Sequence, residues 1–198
     1  MNLPNKISLT RICMIPVFVL IFFLDFIPFH FGIAAILFAV ASFTDFIDGK
    51  IARSRGLVTN LGKFLDPIAD KVLVSTAMIL LLTMGESLFG KLAQVESWLY
   101  VATTVCICII MARELIISAF RQIAAANGII MAAEKLGKYK TACQDTALFV
   151  LILAADIPAL AGEIVAIVGF VLFAAATVLT IVSGVAYVVK NKRVLKDN

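Results

Sequence analysis

Apolar residues along this chain neither alternate with polar ones nor keep to one stripe of a helix. They fill long runs, several of them apolar around the whole helical circumference, and short clusters of Gly, Pro or charge separate the runs. The pattern predicts six membrane helices, over about 7–27, 32–54, 61–84, 97–124, 136–157 and 163–190. The breaks hold Pro28 and Gly32, Gly56, Gly85 and Gly90, Gly128, and Pro158 and Gly162, residues that end helices or permit turns. None of these connections is long enough for another domain, so residues 1–198 are expected to form a single all-α, membrane-embedded unit.

Composition supports lipid as the solvent. Hydrophobic residues make up 62% of the chain and charged ones 15%, against about 45–50% and 25% in an ordinary soluble domain. The run from Ile7 to Ile27 follows Lys6 and contains Arg11, as a signal peptide could. It has the length of a span rather than of a signal core, and no small-residue cleavage site follows, so it reads as a retained first helix.

Charge orients the spans. The side holding the N-terminus also takes Lys50, Arg53, Arg55, Lys63, Arg121, Lys135, Lys138, Lys140 and the tail residues Lys190, Lys192, Arg193 and Lys196, while the other side has only Lys91. By the positive-inside rule both termini are expected to be cytoplasmic, in the plasma membrane of the cell. The basic tail suits attraction to anionic headgroups better than nucleic-acid binding.

Cys13, Cys106, Cys108 and Cys143 lie in apolar segments without a CxxC pair, and read as small packing residues. Cys106 and Cys108, two apart, fall on nearly opposite faces of a helix. The single histidine, His30, sits in a short loop and is not expected to be catalytic or to bind metal.

The acids are placed differently. Of eight aspartates, four fall between residues 45 and 70, within or beside apolar helices, where an ionised carboxylate costs several kcal/mol unless compensated. Asp45 and Asp48 are i,i+3, and Asp66 and Asp70 are i,i+4, so each pair projects from one helix face. Both pairs lie near the same end of consecutive antiparallel helices, and the four groups can converge. Their repulsion is relieved by protonation or by cations. Arg53, Arg55, Lys63 and Lys71 could supply the cations, and so could metal ions. Oxygen ligands without nearby Cys or His point to Mg²⁺, Mn²⁺ or Ca²⁺, with Mg²⁺ favoured because it shares its ligands with substrate phosphates. Gly49, Ala52 and Gly62 leave room beside the acids, or serve close helix packing.

Asp45-x-x-Asp48-Gly49-x-x-Ala52-Arg53, eight further residues, then Gly62-x-x-x-Asp66-x-x-x-Asp70 is similar in full to the signature of the CDP-alcohol phosphotransferases. The resemblance implies a six-helix membrane domain, a homodimer, and one or two metal ions, Mg²⁺ or Mn²⁺. It also implies Asp45, Asp48 and Asp66 as principal metal ligands, with Asp70 contributing and acting as general base. Asn5, Gly49, Ala52, Arg53 and Gly62 would bind the CDP-lipid, with Arg53 on phosphate.

A second polar cluster follows in residues 113–144. Arg113 and Glu114 come after sixteen uncharged residues from Ser97 to Ala112 and precede another apolar stretch, so they should lie inside the membrane boundary. With Arg121, Lys135 and Lys138 they suit an anionic acceptor, because guanidinium and ammonium groups pair with phosphate oxygens. Ala112-Arg113-Glu114, Arg121, Leu136-Gly137-Lys138-x-Lys140-Thr141 and Gln144, with the opening Asn2-Leu3-Pro4-Asn5 and Thr10-Arg11, resemble the branch of the family that uses sn-glycerol 3-phosphate. The expected reaction is CDP-diacylglycerol plus glycerol 3-phosphate giving phosphatidylglycerol phosphate and CMP. The rivals are a sibling enzyme using serine, inositol phosphate or phosphatidylglycerol, and, from a different class, a membrane transporter with a cation path of carboxylates.

Overall fold

In a computed structural model, backbone is described for residues 3–54, 60–92, 94–126 and 135–191, and side chains for 8–44, 65, 68–92, 94–125 and 136–191. The described residues form helices α1 (Leu3–Phe22), α2 (His30–Ser54), α3 (Asn60–Leu82), the short α4 (Gly85–Leu88) continued by a 3₁₀ turn Phe89–Leu92, α5 (Glu96–Ala126), α6 (Lys135–Asp156) and α7 (Ala159–Lys190), and no strand.

The long helices close into a ring. α1 packs on α2 and α3, α2 on α6, α6 on α7, α7 on α5, and α5 on α3. Their shared core contains Phe18, Phe38, Leu73, Met78, Leu81, Leu148 and Leu151, and a satellite cluster of Ile117, Phe120, Ala124 and Tyr187 ties α5 to α7. Between apolar helices in lipid, close packing replaces the hydrophobic effect as the adhesive. Gly169 permits that approach: a Cβ there would lie 2.7 Å from the Leu151 side chain.

Two sequence expectations about helix ends are corrected. The first helix stops at Phe22, not Ile27, and turns follow. The His30 ring donates from Nδ1 to the Phe22 carbonyl at 2.9 Å and so caps the end of α1. The chain then reaches α2 through Phe29, whose φ is +60°. The third helix ends at Leu82, and the chain beyond it, expected to be a connection, forms α4 and its 3₁₀ turn, bent by 86° from α3. At this end of the bundle the Gly32 N–H, in the first turn of α2, donates to Asp156 Oδ2 at 2.6 Å, and Lys91 Nζ donates to the Ile157 carbonyl at 2.8 Å.

Among the described residues α5 and α7 are long and apolar enough to cross a membrane, as is the bent pair of α3 and α4 if it counts as one span. α1 and α2 contribute shorter apolar stretches. Polar residues such as Lys138, Lys140 and Asp145 dilute the apolar character of α6. Trp98, Leu160 and Val171 are exposed, a surface that fits lipid.

Candidate active site

Five helices surround a cavity of about 1000 Å³. α2 lends Ser42, α3 Asp70 and Lys71, α5 Arg113, Glu114 and Arg121, α6 Lys138 and Asp145, and α7 Ser183 and Tyr187. Four residues that the sequence assigned to two separate clusters, Asp70 on one side and Arg113, Arg121 and Lys138 on the other, therefore line one space.

The cations are held in different ways. Arg113 Nη1 donates to Glu114 Oε1 at 3.0 Å and Nη2 to Ser183 Oγ at 3.2 Å, while its stem lies against Gly184, where a Cβ would come within 3.0 Å of Arg113 Cγ. Arg121 Nε donates to the Tyr187 hydroxyl at 3.2 Å, and the guanidinium stands 5.3 Å from the centre of that ring. Tyr187 is itself buried in the satellite cluster, so it fixes the arginine by both a hydrogen bond and a cation–π contact. Lys138 is exposed at the cavity wall.

Lys140 departs from its neighbours in sequence. It is only 4% exposed and its ammonium pairs with the Glu114 carboxylate, making a polar bridge from α6 to α5. Lys71, one residue after Asp70, reaches the same region: it donates to the Ser118 hydroxyl and, at 3.5 Å, to the Glu114 carbonyl. Glu114 is thus the shared anchor for Arg113 and Lys140, and three cations surround it. An acidic centre of this kind keeps the cations of a buried site in place and limits their mutual repulsion.

A smaller cavity of about 100 Å³ adjoins the first, sharing Asp70, Lys71, Glu114, Thr141 and Asp145 with it and adding Lys140 and Gln144. Ser42 donates to Asp145 Oδ2 at 2.8 Å, linking α2 to α6 at this wall. Sequence reading missed Ser42, Asp145, Ser183 and Tyr187. Their only signal was polarity in otherwise apolar helices; Tyr187 adds a position one turn beyond Ser183 on the same face of α7. In α1, Arg11 and Ser8 are polar and almost wholly buried.

Asp45 and Asp48 belong to the last three turns of α2, and Asp66 and Asp70 to the first three turns of α3. The side chains of Asp45, Asp48, Asp66, Gly49, Ala52, Arg53, Gly62, Asn5 and Lys135 lie outside the described residues, so of the predicted metal and CDP-lipid residues only Asp70 is located in full. No group of three or more potential metal ligands occurs among the described residues. The donor set itself fits a hard cation: four carboxylates on two consecutive helices that contact each other, without thiol or imidazole in the set.

An apolar helical bundle around a cavity lined by both carboxylates and cations is the build of a membrane protein that handles a phosphate-bearing ligand. A family model described as CDP-alcohol phosphatidyltransferase matches residues 1–186, and the chain belongs to that family. It is 40% identical over 163 residues, 77% of either chain, to the CDP-diacylglycerol–glycerol-3-phosphate 3-phosphatidyltransferase of Bacillus subtilis. A protein of the same name from Rickettsia bellii is 37% identical over 94% of this chain and 93% of its own, and one from Shigella flexneri serotype 5b is 38% identical over 94% and 92%.

Proposed function

We propose that this chain transfers the phosphatidyl group of CDP-diacylglycerol to sn-glycerol 3-phosphate, releasing CMP and forming phosphatidylglycerol phosphate. The observation that carries the reading is the single cavity in which Asp70 of the family signature faces the same space as Arg113, Arg121 and Lys138. The names of relatives spanning most of the chain support the same acceptor.

In the reaction the acceptor hydroxyl oxygen bonds to the phosphatidyl phosphorus, the bridging P–O bond breaks, and CMP leaves with its electron pair. Asp70 takes the hydroxyl proton. Arg121, fixed by Tyr187, and Lys138 bind the acceptor phosphate, together with Lys135. Arg113, held by Glu114 and Ser183, adds positive charge from deeper in the cavity. Asn5, Gly49, Ala52, Arg53 and Gly62 form the CDP-lipid site. Asp45, Asp48, Asp66 and Asp70 would hold two divalent ions, Mg²⁺ or Mn²⁺. When bound, such ions neutralise the pyrophosphate and the charge that develops on the leaving group.

The remaining features belong to the same proposal. Residues 1–198 form one domain of six membrane spans. Its α3 span is completed by the bent α4, and the polar faces of α2, α3 and α6 line the cavity rather than meet lipid. The protein is a homodimer in the plasma membrane with both termini and the cavity on the cytoplasmic side, as the basic residues suggest.

The test is purified protein with CDP-diacylglycerol, Mg²⁺ and a panel of alcohols, scored for CMP release. Glycerol 3-phosphate should be the preferred acceptor. Preference for serine, inositol phosphate or phosphatidylglycerol would assign a sibling reaction, and absence of CMP release with every acceptor would remove the enzymatic reading.

A further inference from the structure

Gln144 is 2% exposed on α6, and its amide is poorly served. Nε2 reaches only Met78 Sδ, at 3.9 Å, and Oε1 has no partner among the described residues. Turning the amide over merely exchanges which end is orphaned. Buried polar atoms in folded proteins are nearly always paired, because water that was bonded to them has been given up. The Gln144 side chain lines the cavity of about 100 Å³, whose wall also holds Asp70, Lys71, Glu114 and Asp145. Those four line the large cavity too, so the small one is a side chamber of the reaction space beside the proposed base.

The chamber's size limits its occupant. A water's share of liquid volume is about 30 Å³, so roughly three water-sized groups fit. That is the bulk of a short polyol chain, and far too small for a nucleotide or an acyl chain. Its chemistry limits the occupant further: the unpaired amide oxygen asks for a hydrogen-bond donor, and the neighbouring Asp70 and Asp145 carboxylates accept hydrogen bonds from hydroxyls as well.

We propose that the side chamber receives the hydroxyl-bearing carbon chain of the acceptor, and that the Gln144 amide, whose unpaired Oε1 lies buried behind the chamber wall, turns into the chamber to accept a hydrogen bond from the hydroxyl that does not react. The inference rests on the reaction proposed above, in which Asp70 serves the reacting hydroxyl and the cations of the large cavity hold the phosphate. It adds a selection that those cations cannot make. Guanidinium and ammonium groups accept any phosphate monoester, whereas Gln144 requires a second hydroxyl next to the first. A site built to bond a hydroxyl disfavours the analogue lacking it, since the buried acceptor is then left unpaired.

The experiment compares glycerol 3-phosphate with 3-hydroxypropyl phosphate, which keeps the phosphate and the reacting primary hydroxyl and lacks the second one. Both are assayed with CDP-diacylglycerol in wild type, Gln144→Met and Gln144→Leu. Wild type should favour glycerol 3-phosphate in kcat/KM by about 10- to 100-fold, the range expected when a buried acceptor loses its donor. Either substitution should shrink that preference to about threefold or less, mainly through a lower kcat/KM for glycerol 3-phosphate. The readout is a ratio of two acceptors on one sample, so a change in the folded fraction cancels. A wild-type preference near one, or an unchanged preference in the variants, overturns the inference and leaves the proposed reaction intact. Absence of CMP release from wild type with glycerol 3-phosphate, alongside release with another alcohol, overturns the acceptor reading and this inference together.

Discussion

The bridge between Glu114 and Lys140 predicts an asymmetry between its two ends. Glu114→Gln leaves an ammonium that is 4% exposed without its only carboxylate among the described residues. Removing one partner of a buried pair costs about 3–5 kcal/mol, and the 29% exposure of the Glu114 side chain puts the effect near the lower end, about 3 kcal/mol. Lys140→Met leaves Glu114 still bonded to Arg113 at 3.0 Å and partly hydrated, so it should cost about 1 kcal/mol. In a domain of this size 1 kcal/mol corresponds to about 2–4 °C in Tm. Glu114→Gln should therefore lower the melting point in detergent by roughly 6–12 °C and Lys140→Met by roughly 2–4 °C, read by near-UV circular dichroism on heating. The double variant removes the buried ammonium and leaves Arg113 bonded to Ser183, so it should melt above Glu114→Gln. Equal or larger destabilisation by Lys140→Met, or a double variant weaker than Glu114→Gln, would refute the assignment of the buried charge to Lys140.

Three further outcomes are expected. Chelation with EDTA should abolish CMP release and added Mg²⁺ or Mn²⁺ should restore it; full activity after exhaustive chelation would sink the metal reading of Asp45, Asp48, Asp66 and Asp70. Asp70→Asn should collapse kcat while CDP-lipid binding persists, whereas Arg121→Gln or Lys138→Gln should raise KM for glycerol 3-phosphate by about 10- to 150-fold, since a charged hydrogen bond contributes about 1.5–3 kcal/mol. A rise in KM for the CDP-lipid instead would move the cations to the donor site. In a background without native cysteines, a cysteine at residue 56 or 196 should resist an impermeant thiol reagent in intact cells while one at residue 90 labels; labelling at 56 would reverse the orientation.

What could be read before folding depended on whether a signal was local. The carboxylate spacing in α2 and α3, the helix pattern, and the charges Arg113 and Glu114 inside an apolar run all lie within one element. The end of α1 at Phe22 does not, because a run broken only by Asp25 continues to Ile27 and the end is capped by a ring eight residues away, that of His30. The placement of Asp145 and Tyr187 is less local still: Ser42 meets Asp145 across 103 residues and Arg121 meets Tyr187 across 66. A lone polar residue in an apolar helix can face a neighbour's packing surface, lipid or a cavity, and only the ring of helices decides. Lys140 and Lys138 illustrate the limit, since two lysines two positions apart in the same basic segment end up, respectively, buried against Glu114 and exposed at the cavity wall.

The contribution of α7 to the cavity has a consequence for biosynthesis. Ser183 and Tyr187, which hold Arg113 and Arg121, lie on α7, which follows the other helices of the cavity in the chain. Until it inserts, a nascent bundle carries Arg113 without its hydroxyl partner on α7 and Arg121 without its ring. Gly184, which seats the Arg113 stem, is also missing at that stage. The cavity can therefore be completed only after α7 has been made, and the incomplete bundle has a standing electrostatic reason to recruit that helix.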